Sequence, residues 1–205
     1  MNKINRLKGL ACYLSGPIDF EKDKGHGWRD DLTPFLQKKN VRVFNPLKHS
    51  FYGTDSVDTI KRPKMQELLD VGDFHSLRDE VKEINHWDLR ALDLSSFVIV
   101  NYNIDVIMCG TMEEIFTANK QTKPVLLMVG NKIKKLSKWM FGRFPPEHMF
   151  TSWEALKFYL DNIDHGPESF MSEADTKRWL FFDGDHMTDG SNQLQPKKCL
   201  NHHSS

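Results

Sequence analysis

Four short apolar runs constrain the fold of this 205-residue chain more than any other feature. Polar or glycine-containing breaks follow each run and helix-length segments separate them, so the runs predict buried strands. Continuous apolar strands joined by helices are typical of a parallel sheet covered on both faces. A fifth strand is expected near 148–151, just before Ser152, which predicts the N-cap of a helix ending at about Leu160. The four runs span residues 11–15, 41–44, 97–102 and 124–129.

The length of the chain fits one α/β domain with a single core. The first helix is expected over 27–39. The connection from 45 to 96 is long and contains two helical segments that break near Gly72, and loops of this length often carry function. From 166 onward the pattern is irregular, with only 179–182 apolar enough to pack on a core. We therefore expect a domain over 1–165 and a largely irregular tail over 166–205.

Charge and cysteine content exclude several classes of function. The 28 basic and 28 acidic residues cancel, so no net field recruits nucleic acid or an anionic membrane, and no nucleic-acid-binding motif is present. The apolar runs are far shorter than the ~20 residues of a membrane span. The three cysteines are odd in number and widely separated, and the histidines lack metal-ligand spacing. We expect a cytoplasmic protein that acts on a small molecule without a metal or cofactor.

One acidic residue, Asp88, falls on the apolar stripe of a predicted helix. In the segment 77–92, Leu77, Val81 and Ile84 recur at helical spacing, and Asp88 continues their row. A carboxylate on an inward face must be hydrogen-bonded, paired or functional, because burying an isolated charge is costly. The structural alternative is that Asp88 caps a loop or pairs with a neighbouring arginine, Arg78 or Arg90.

Two further acids, Glu113 and Glu114, follow the turn formed by Gly110 and Thr111. They come after the third strand, and ligands of open parallel sheets bind beyond the carboxyl ends of the strands. Periodicity alone does not choose between the two acids. Acids in the first turn of a helix also have a structural explanation, because each stabilises the helix dipole by ~0.3–1 kcal/mol.

The ends of the first two strands supply other candidate side chains. Tyr13 lies in the first strand, where it either orients a carboxylate through its hydroxyl group or fills the core. Ser15 and Gly16 follow, and their backbone amides are candidates for contacts with a sugar or phosphate. Asn45 follows the second strand. Arg29, near the start of the first helix, either binds a 5′-phosphate bidentately or is solvated.

Two charged segments favour plain surface roles. The acidic stretch 183–190 has its glycine at the wrong offset for a calcium loop and lacks the closing glutamate, so we interpret it as a polar loop. The lysines of 132–138 are interpreted as a solvated helix face, since the total charge is balanced.

The ordered motifs resemble the nucleoside 2-deoxyribosyltransferase family and its related nucleotide N-glycoside hydrolases. The opening from Tyr13 to Pro17 matches the family's Tyr-Leu-x-Gly-Pro. Gly110, Thr111 and Glu114 match its Gly-Thr/Ser-x-x-Glu nucleophile motif. Asp88 matches the family's preceding acid in type and in spacing, although Trp87 replaces the asparagine before it. The resemblance covers about residues 10–160.

This resemblance implies a flavodoxin-like, doubly wound, five-stranded parallel sheet and cleavage or exchange of the N-glycosidic bond of deoxynucleosides. It implies that Glu114 is the nucleophile, that Asp88 protonates or orients the base, and that Asp19 is an alternative base contact. Family members build sites across subunit contacts, so a homodimer or larger oligomer is expected. The implied substrate-binding residues are Ser15, Gly16, Pro17, Asp19, Arg29, Asn45, Gly110 and Thr111, with Tyr13 orienting the nucleophile.

Two departures from the family pattern leave the exact reaction open. Met108 and Cys109 stand where the transferases commonly carry an acid, and the segment 135–140 lacks the asparagine that they contribute to a neighbouring subunit. Transfer of deoxyribose between bases is the first hypothesis. Hydrolysis of a nucleoside 5′-monophosphate is the alternative, favoured by a phosphate pocket around Ser15, Gly16 and Arg29. A non-catalytic nucleotide-binding module is the second alternative, because a fold does not fix a function.

Overall fold

A computed structural model describes residues 4–18, 21–48 and 57–182 of the chain. Strands and helices alternate through most of this range. The strands are β1 (Ala11–Ser15), β2 (Arg42–Phe44), β3 (Phe97–Asn101), β4 (Val125–Met128) and β5 (Met149–Phe150). The helices are α1 (His26–Lys38), α2 (Val57–Val71), α3 (Phe74–Asp93), α4 (Cys109–Lys120), α5 (Lys138–Phe141), α6 (Trp153–His165) and α7 (Glu173–Arg178).

The five strands form one parallel sheet in the order β2-β1-β3-β4-β5. This is the flavodoxin-like order, so the predicted doubly wound, five-stranded fold is confirmed. The order reverses between β1 and β3, which are paired so that Ser15 lies opposite Val100. In such sheets the ligand crevice opens at this switch point, beyond the carboxyl ends of the two strands. The end of β1 therefore marks where a site is expected.

Alternation along β1 decides which side chains meet which helices. Tyr13 packs on the face covered by α3 and α4, together with Leu92 and Ile115. Cys12 and Leu14 point to the other face, which α1, α6 and the C-terminal segment cover. Because side chains in a strand alternate between faces, Tyr13 and Ser15 share the side of the sheet that carries α4.

Local signals set the ends of most helices close to the predicted positions. Gly72 adopts a positive φ of 76° and separates α2 from α3, and Asp73 then caps α3 by accepting a hydrogen bond from the amide of Ser76. Ser152 caps α6 by accepting from the amide of Ala155, as its position predicts. Helix α6 continues past Leu160 because another apolar residue, Ile163, is buried one turn further on.

A C-terminal segment packs on the core through Trp179, in the apolar run expected to pack there, and through polar contacts that the apolar pattern did not reveal. Ser172 and Asp175 form a capping box at the start of α7. Trp179 is 2% exposed, and its indole nitrogen donates to the hydroxyl oxygen of Tyr159 at 2.9 Å. Asp175 also accepts from that hydroxyl and lies 3.0 Å from Nε2 of His148. The division at 165/166 stays a prediction, and the polar loop at 183–190 lies outside the described residues.

Among the residues that the structure describes, no helix combines the length and apolar character needed to cross a membrane.

Candidate active site

Helix α4 presents Glu114 to the interior and Glu113 to solvent. Thr111, Ile115 and Ala118 are the buried residues of this helix, and Glu114 lies one turn from Thr111 and from Ala118. Glu114 is half-buried, whereas Glu113 is exposed. The choice that the sequence left open is thus made by tertiary packing: only the second acid turns toward the sheet.

Two hydroxyl groups from β1 hold the two carboxylate oxygens of Glu114. The Tyr13 hydroxyl donates to Oε1 at 2.7 Å, and the Ser15 hydroxyl donates to Oε2 at 2.5 Å. Both donors are fully buried and lie on the same face of the strand. Each carboxylate oxygen can accept more than one hydrogen bond, so both oxygens keep free lone pairs. The two hydrogen bonds therefore fix the position of the carboxylate and leave lone pairs free for a further contact.

The electrostatic surroundings of Glu114 pull its pKa in two directions. Burial raises the pKa and has the largest effect. The hydrogen bonds from Ser15 and Tyr13, together with the positive charge of Arg29, lower it and stabilise the ionised form. The pKa of Tyr13 is raised well above its ordinary value by burial and by the nearby Glu114, so the phenol remains a donor at neutral pH.

Asp88, on α3, is the second carboxyl group of the site. Burial and then the negative charge of Glu114 raise the pKa of Asp88 to about 8, while Arg29 and Arg62 act against this rise. Asp88 therefore carries a proton at neutral pH, whereas Glu114 sits among donors that favour its charge. A carboxyl group that holds a proton and a neighbouring one that accepts two hydrogen bonds are suited to different roles in one reaction.

Arg29 is buried beside the site and binds the backbone around it. Its guanidinium group donates to three backbone carbonyl oxygens: Nε to Leu14 at 3.3 Å, Nη1 to Gly25 at 2.8 Å and Nη2 to Gly16 at 2.9 Å. The group also lies over the Trp28 ring, 4.5 Å from its centroid. Arg29 is 0% exposed, so the solvated alternative is wrong. Its charge stabilises the ionised form of Glu114 from a distance.

Two glycines allow the chain between β1 and α1 to pack closely against its neighbours. Gly25 has a positive φ of 73°, and a Cβ atom there would lie 2.3 Å from Nη1 of Arg29. At Gly16, a Cβ atom would lie 3.2 Å from both the carbonyl oxygen of Asn101 and the Trp28 ring. The segment after β1 is therefore packed tightly against the arginine and the neighbouring strand.

A cavity of about 230 Å³ lies above the two carboxyl groups. Six of the residues predicted from the sequence line it, which brings the two catalytic candidates and both glycine motifs to one site. Tyr13 and Ser15 lie behind the Glu114 carboxylate rather than in the cavity wall. The six lining residues are Gly16, Pro17, Asp88, Gly110, Thr111 and Glu114.

Two predicted substrate contacts are placed differently. Asn45 does not line the cavity; its side-chain oxygen accepts from the amide of Leu47 at 3.0 Å and shapes the turn after β2. Arg29 points to carbonyl oxygens rather than into the cavity. Asp19 lies outside the described residues.

The sequence interpretation missed two features of the site. Ser15 acts through its hydroxyl group on Glu114, not only through backbone amides, and the two-residue alternation from Tyr13 is the signal that pairs them. Arg62, on α2, lines the cavity and influences Asp88. No local signal distinguishes Arg62 from the other basic residues of its helix.

Among the described residues, no group of three or more histidine, cysteine or acidic side chains is arranged to hold a metal ion.

The solved structures to which this chain is similar include two enzymes. One is a 2-deoxyribosyltransferase from Bacillus psychrosaccharolyticus, with 15% identity and a TM-score of 0.49, over 77% of this chain and 98% of that one. The other is a CMP N-glycosidase from Clostridium botulinum, with 15% identity and a TM-score of 0.45, over 75% of this chain and 98% of that one. Both are the kinds of enzyme that the ordered motifs resemble. No protein-family model and no curated protein sequence matches the chain.

Proposed function

We propose that this protein cleaves the N-glycosidic bond of 2′-deoxynucleosides through a covalent intermediate on Glu114 and passes the deoxyribose to a second base. The observation that carries the proposal is the pair of buried hydroxyl groups, from Tyr13 and Ser15, that hold the two oxygens of one carboxylate beneath a cavity. A carboxylate fixed by two donors is suited to attack a sugar carbon. The motif resemblance supports the deoxynucleoside as substrate.

In the first step, an oxygen of Glu114 attacks the C1′ atom as the bond from C1′ to the base nitrogen breaks. The transition state resembles an oxocarbenium ion, and collapse onto the carboxylate forms a glycosyl ester. The electron pair of the broken bond leaves with the base. Asp88, protonated at neutral pH, supplies a proton to that base and becomes a carboxylate.

In the second step, the nitrogen of an incoming base attacks C1′ and gives its proton to the Asp88 carboxylate. The ester bond breaks, Glu114 regains its charge and Asp88 regains its proton. Water attacking in place of the base gives hydrolysis by the same route, with free deoxyribose as product. In both cases Asp88 ends the reaction with the proton that it held at the start.

The surroundings of Arg29 favour a nucleoside over a 5′-monophosphate. The expected phosphate pocket required Ser15, Gly16 and Arg29 together. Instead, the Ser15 hydroxyl is bonded to Glu114, and Arg29 donates to the carbonyl oxygen of Gly16. This use of the three residues supports a role in fixing the nucleophile.

The test is chromatographic detection of free base from a panel of deoxynucleosides, with and without a second base, repeated with the 5′-monophosphates. We expect base exchange that requires the acceptor, and Glu114→Ala to lower it by ~10³-fold or more. Glu113→Ala is the matched control, because its side chain is adjacent in sequence and exposed. Full turnover in Glu114→Ala would contradict the proposal, as would binding of deoxynucleosides with no base released.

A further inference from the structure

A second and larger cavity adjoins the one above the carboxyl groups. Its volume is about 570 Å³, against about 230 Å³ for the inner cavity. We call it the outer chamber; α2 and α3 form its two long walls, and Lys24, Leu69 and Leu77 line it without reaching the inner cavity. The two spaces are continuous because four residues line both: Ile18, Arg62, Met65 and Val81.

The volumes indicate that a substrate occupies both spaces. Small-molecule sites are typically ~300–1,000 Å³. The inner cavity, at about 230 Å³, lies below this range, and the outer chamber, at about 570 Å³, lies within it. A ligand whose sugar lies above Glu114 therefore has its remaining bulk in the outer chamber.

Helix α3 gives the direction in which the substrate extends. Asp88 and Ile84 line the inner cavity, Val81 lines both spaces, and Leu77 lines only the outer chamber. These residues are three or four positions apart, so they form one continuous row along the helix. Asp88 is the group that meets the departing base in the proposed reaction. The residues that continue this row, Ile84, Val81 and Leu77, therefore lie on the side of the site that receives the base, not on the side of Glu114.

The chemistry of the outer chamber differs from that of the inner cavity. The inner cavity contains the two reacting carboxyl groups, whereas the described lining of the outer chamber contains no carboxylate. Its walls are mostly apolar, and its polar lining residues are two cations, Lys24 and Arg62, and the amide Gln66. An apolar slot with cations suits a planar group that ends in hydrogen-bond acceptors or a negative charge.

The geometry points to an extended base subsite: the outer chamber binds a nucleobase that carries a large substituent with an anionic end. This inference rests on the proposed function for the placement of the sugar and base. It adds a substrate class, a deoxynucleoside with an enlarged acidic base, and assigns selectivity to the α2 and α3 walls.

The test compares 2′-deoxyuridine with 5-(2-carboxyvinyl)-2′-deoxyuridine and the methyl ester of the latter. We expect wild-type kcat/KM to be highest for the carboxylate. Leu77→Trp fills the chamber and should lower the ratio of kcat/KM for carboxyvinyl-deoxyuridine over deoxyuridine by ~10-fold or more, since steric exclusion in apolar pockets reaches ~10–200-fold. Leu69→Trp, at a half-exposed position of the same wall, is the second filling variant. Val71→Trp is the control, because Val71 is 71% exposed and lines neither space.

The charge is tested at Lys24, which has a positive φ of 53°, so Lys24→Asn keeps a residue that tolerates this backbone conformation. Lys24→Asn should reduce the preference for the carboxylate over its ester, and Lys22→Asn, an exposed neighbour, should not. Equal ratios for wild type, both filling variants and Lys24→Asn would overturn the inference.

Binding separates this inference from the proposed function. Calorimetric titration with free 5-(2-carboxyvinyl)uracil requires no turnover. Binding to the wild type that is lost in Leu77→Trp and Leu69→Trp supports the subsite even if no nucleoside is cleaved. Base exchange on unmodified nucleosides, with no binding of the substituted base, overturns the subsite and leaves the proposed reaction standing.

Discussion

At the scale of single residues, the proposed reactivity of Glu114 depends on the hydroxyl groups that hold it. A hydrogen bond donated to a carboxylate favours its charged form and so lowers its pKa. Tyr13 and Ser15 each give one such bond and oppose the rise in pKa that burial causes. The two hydroxyl groups therefore position the proposed nucleophile and favour its ionised form.

Tyr13→Phe removes one of these donors and keeps the ring in the core. We expect the pKa of Glu114 to rise, so that the acidic limb of the pH–rate profile moves to higher pH. One hydrogen bond to a charged group is worth ~1.5–3 kcal/mol, which corresponds to a loss of roughly 10- to 100-fold in rate. A profile of kcat/KM against pH measures both effects.

Tyr102→Phe is the control for this change, because Tyr102 is only half-buried and its hydroxyl group is not one of those that hold Glu114. An acidic limb that stays in place in Tyr13→Phe would contradict the role assigned to the phenol.

Asp88 is expected to set the alkaline limb. Its raised pKa, about 8, means that the proton needed by the leaving base is lost as pH rises through this value. The rate of the first step should therefore fall above about pH 8. Asp88→Asn should remove this limb and lower the rate by ~10²–10⁴-fold, the usual contribution of a general acid. Single-turnover base release across pH 6–10 (a range of roughly two units either side of the raised pKa) measures it.

The same shift has a consequence for stability that needs no substrate. Between the ordinary pKa of an aspartate, ~3.9, and the raised value, the folded state holds a proton that the unfolded state releases. Stability thus falls as pH rises through this window. From the acidic to the alkaline end of this window, the free energy of unfolding of Asp88→Asn should therefore rise by ~1–3 kcal/mol relative to that of the wild type. Urea unfolding at both ends, with the exposed Asp79→Asn as control, measures the difference; no difference would contradict a neutral Asp88.

At the scale of elements, the connection from β1 to α1 is held against the sheet by Arg29. The arginine binds backbone carbonyls at both ends of the connection, Gly16 and Gly25. Buried guanidinium groups need acceptors for their donors, and here each nitrogen of the group donates to a backbone carbonyl oxygen, two of them in the connection. The position of the cavity wall is therefore linked to the position of α1.

Gly25→Ala tests this link. A Cβ atom at Gly25 would lie 2.3 Å from Arg29 in a backbone conformation that disfavours side chains. We expect a loss of ~2–4 kcal/mol in the free energy of unfolding, together with lower activity. Gly9→Ala has the same kind of positive φ, 85°, but open space around it, so it should lose only about 1 kcal/mol. Equal losses in the two variants would show that contact with Arg29 has no part in the effect.

Most of the sheet was predictable from the sequence because its central strands, β1, β3 and β4, are largely buried and read as continuous apolar runs. The run at 97–102 became β3, and the serine at 152 marked the start of α6. Helix α7 was not predictable, because a helix of this length has no apolar stripe to detect.

The site was predictable in part. Asp88, Gly110 and Glu114 follow from motif order, and the structure places all three at one cavity. The buried position of Arg29 and the use of the Ser15 hydroxyl depend on tertiary contacts, which no local pattern specifies. The predicted roles of the residues in substrate binding and catalysis stay predictions.

At the scale of the whole molecule, the C-terminal segment completes the core on the face opposite the carboxyl groups. Trp179 packs against Phe97 of the central strand β3, with ring centroids 5.0 Å apart. The same face of the sheet is covered by α1 and α6. Residues beyond 165 therefore contribute to the stability of the sheet that positions the site.

Trp179→Ala should lower the free energy of unfolding by ~3–5 kcal/mol, the usual loss for truncating a buried aromatic side chain. The control is Leu180→Ala, the next residue, which is 70% exposed and should change stability little. Thermal and urea unfolding of the two variants measures the difference. Similar small losses in both would contradict a structural role for this segment.

Covalent chemistry at Glu114 is the central claim, and mass spectrometry of the acid-quenched enzyme tests it most directly. After incubation with a deoxynucleoside in the absence of an acceptor base, we expect a peptide containing Glu114 to gain the mass of one deoxyribosyl group. The adduct should disappear when a second base is added and should be absent from Glu114→Ala. Steady base release with no adduct on this peptide, or an adduct on another residue, would contradict the account.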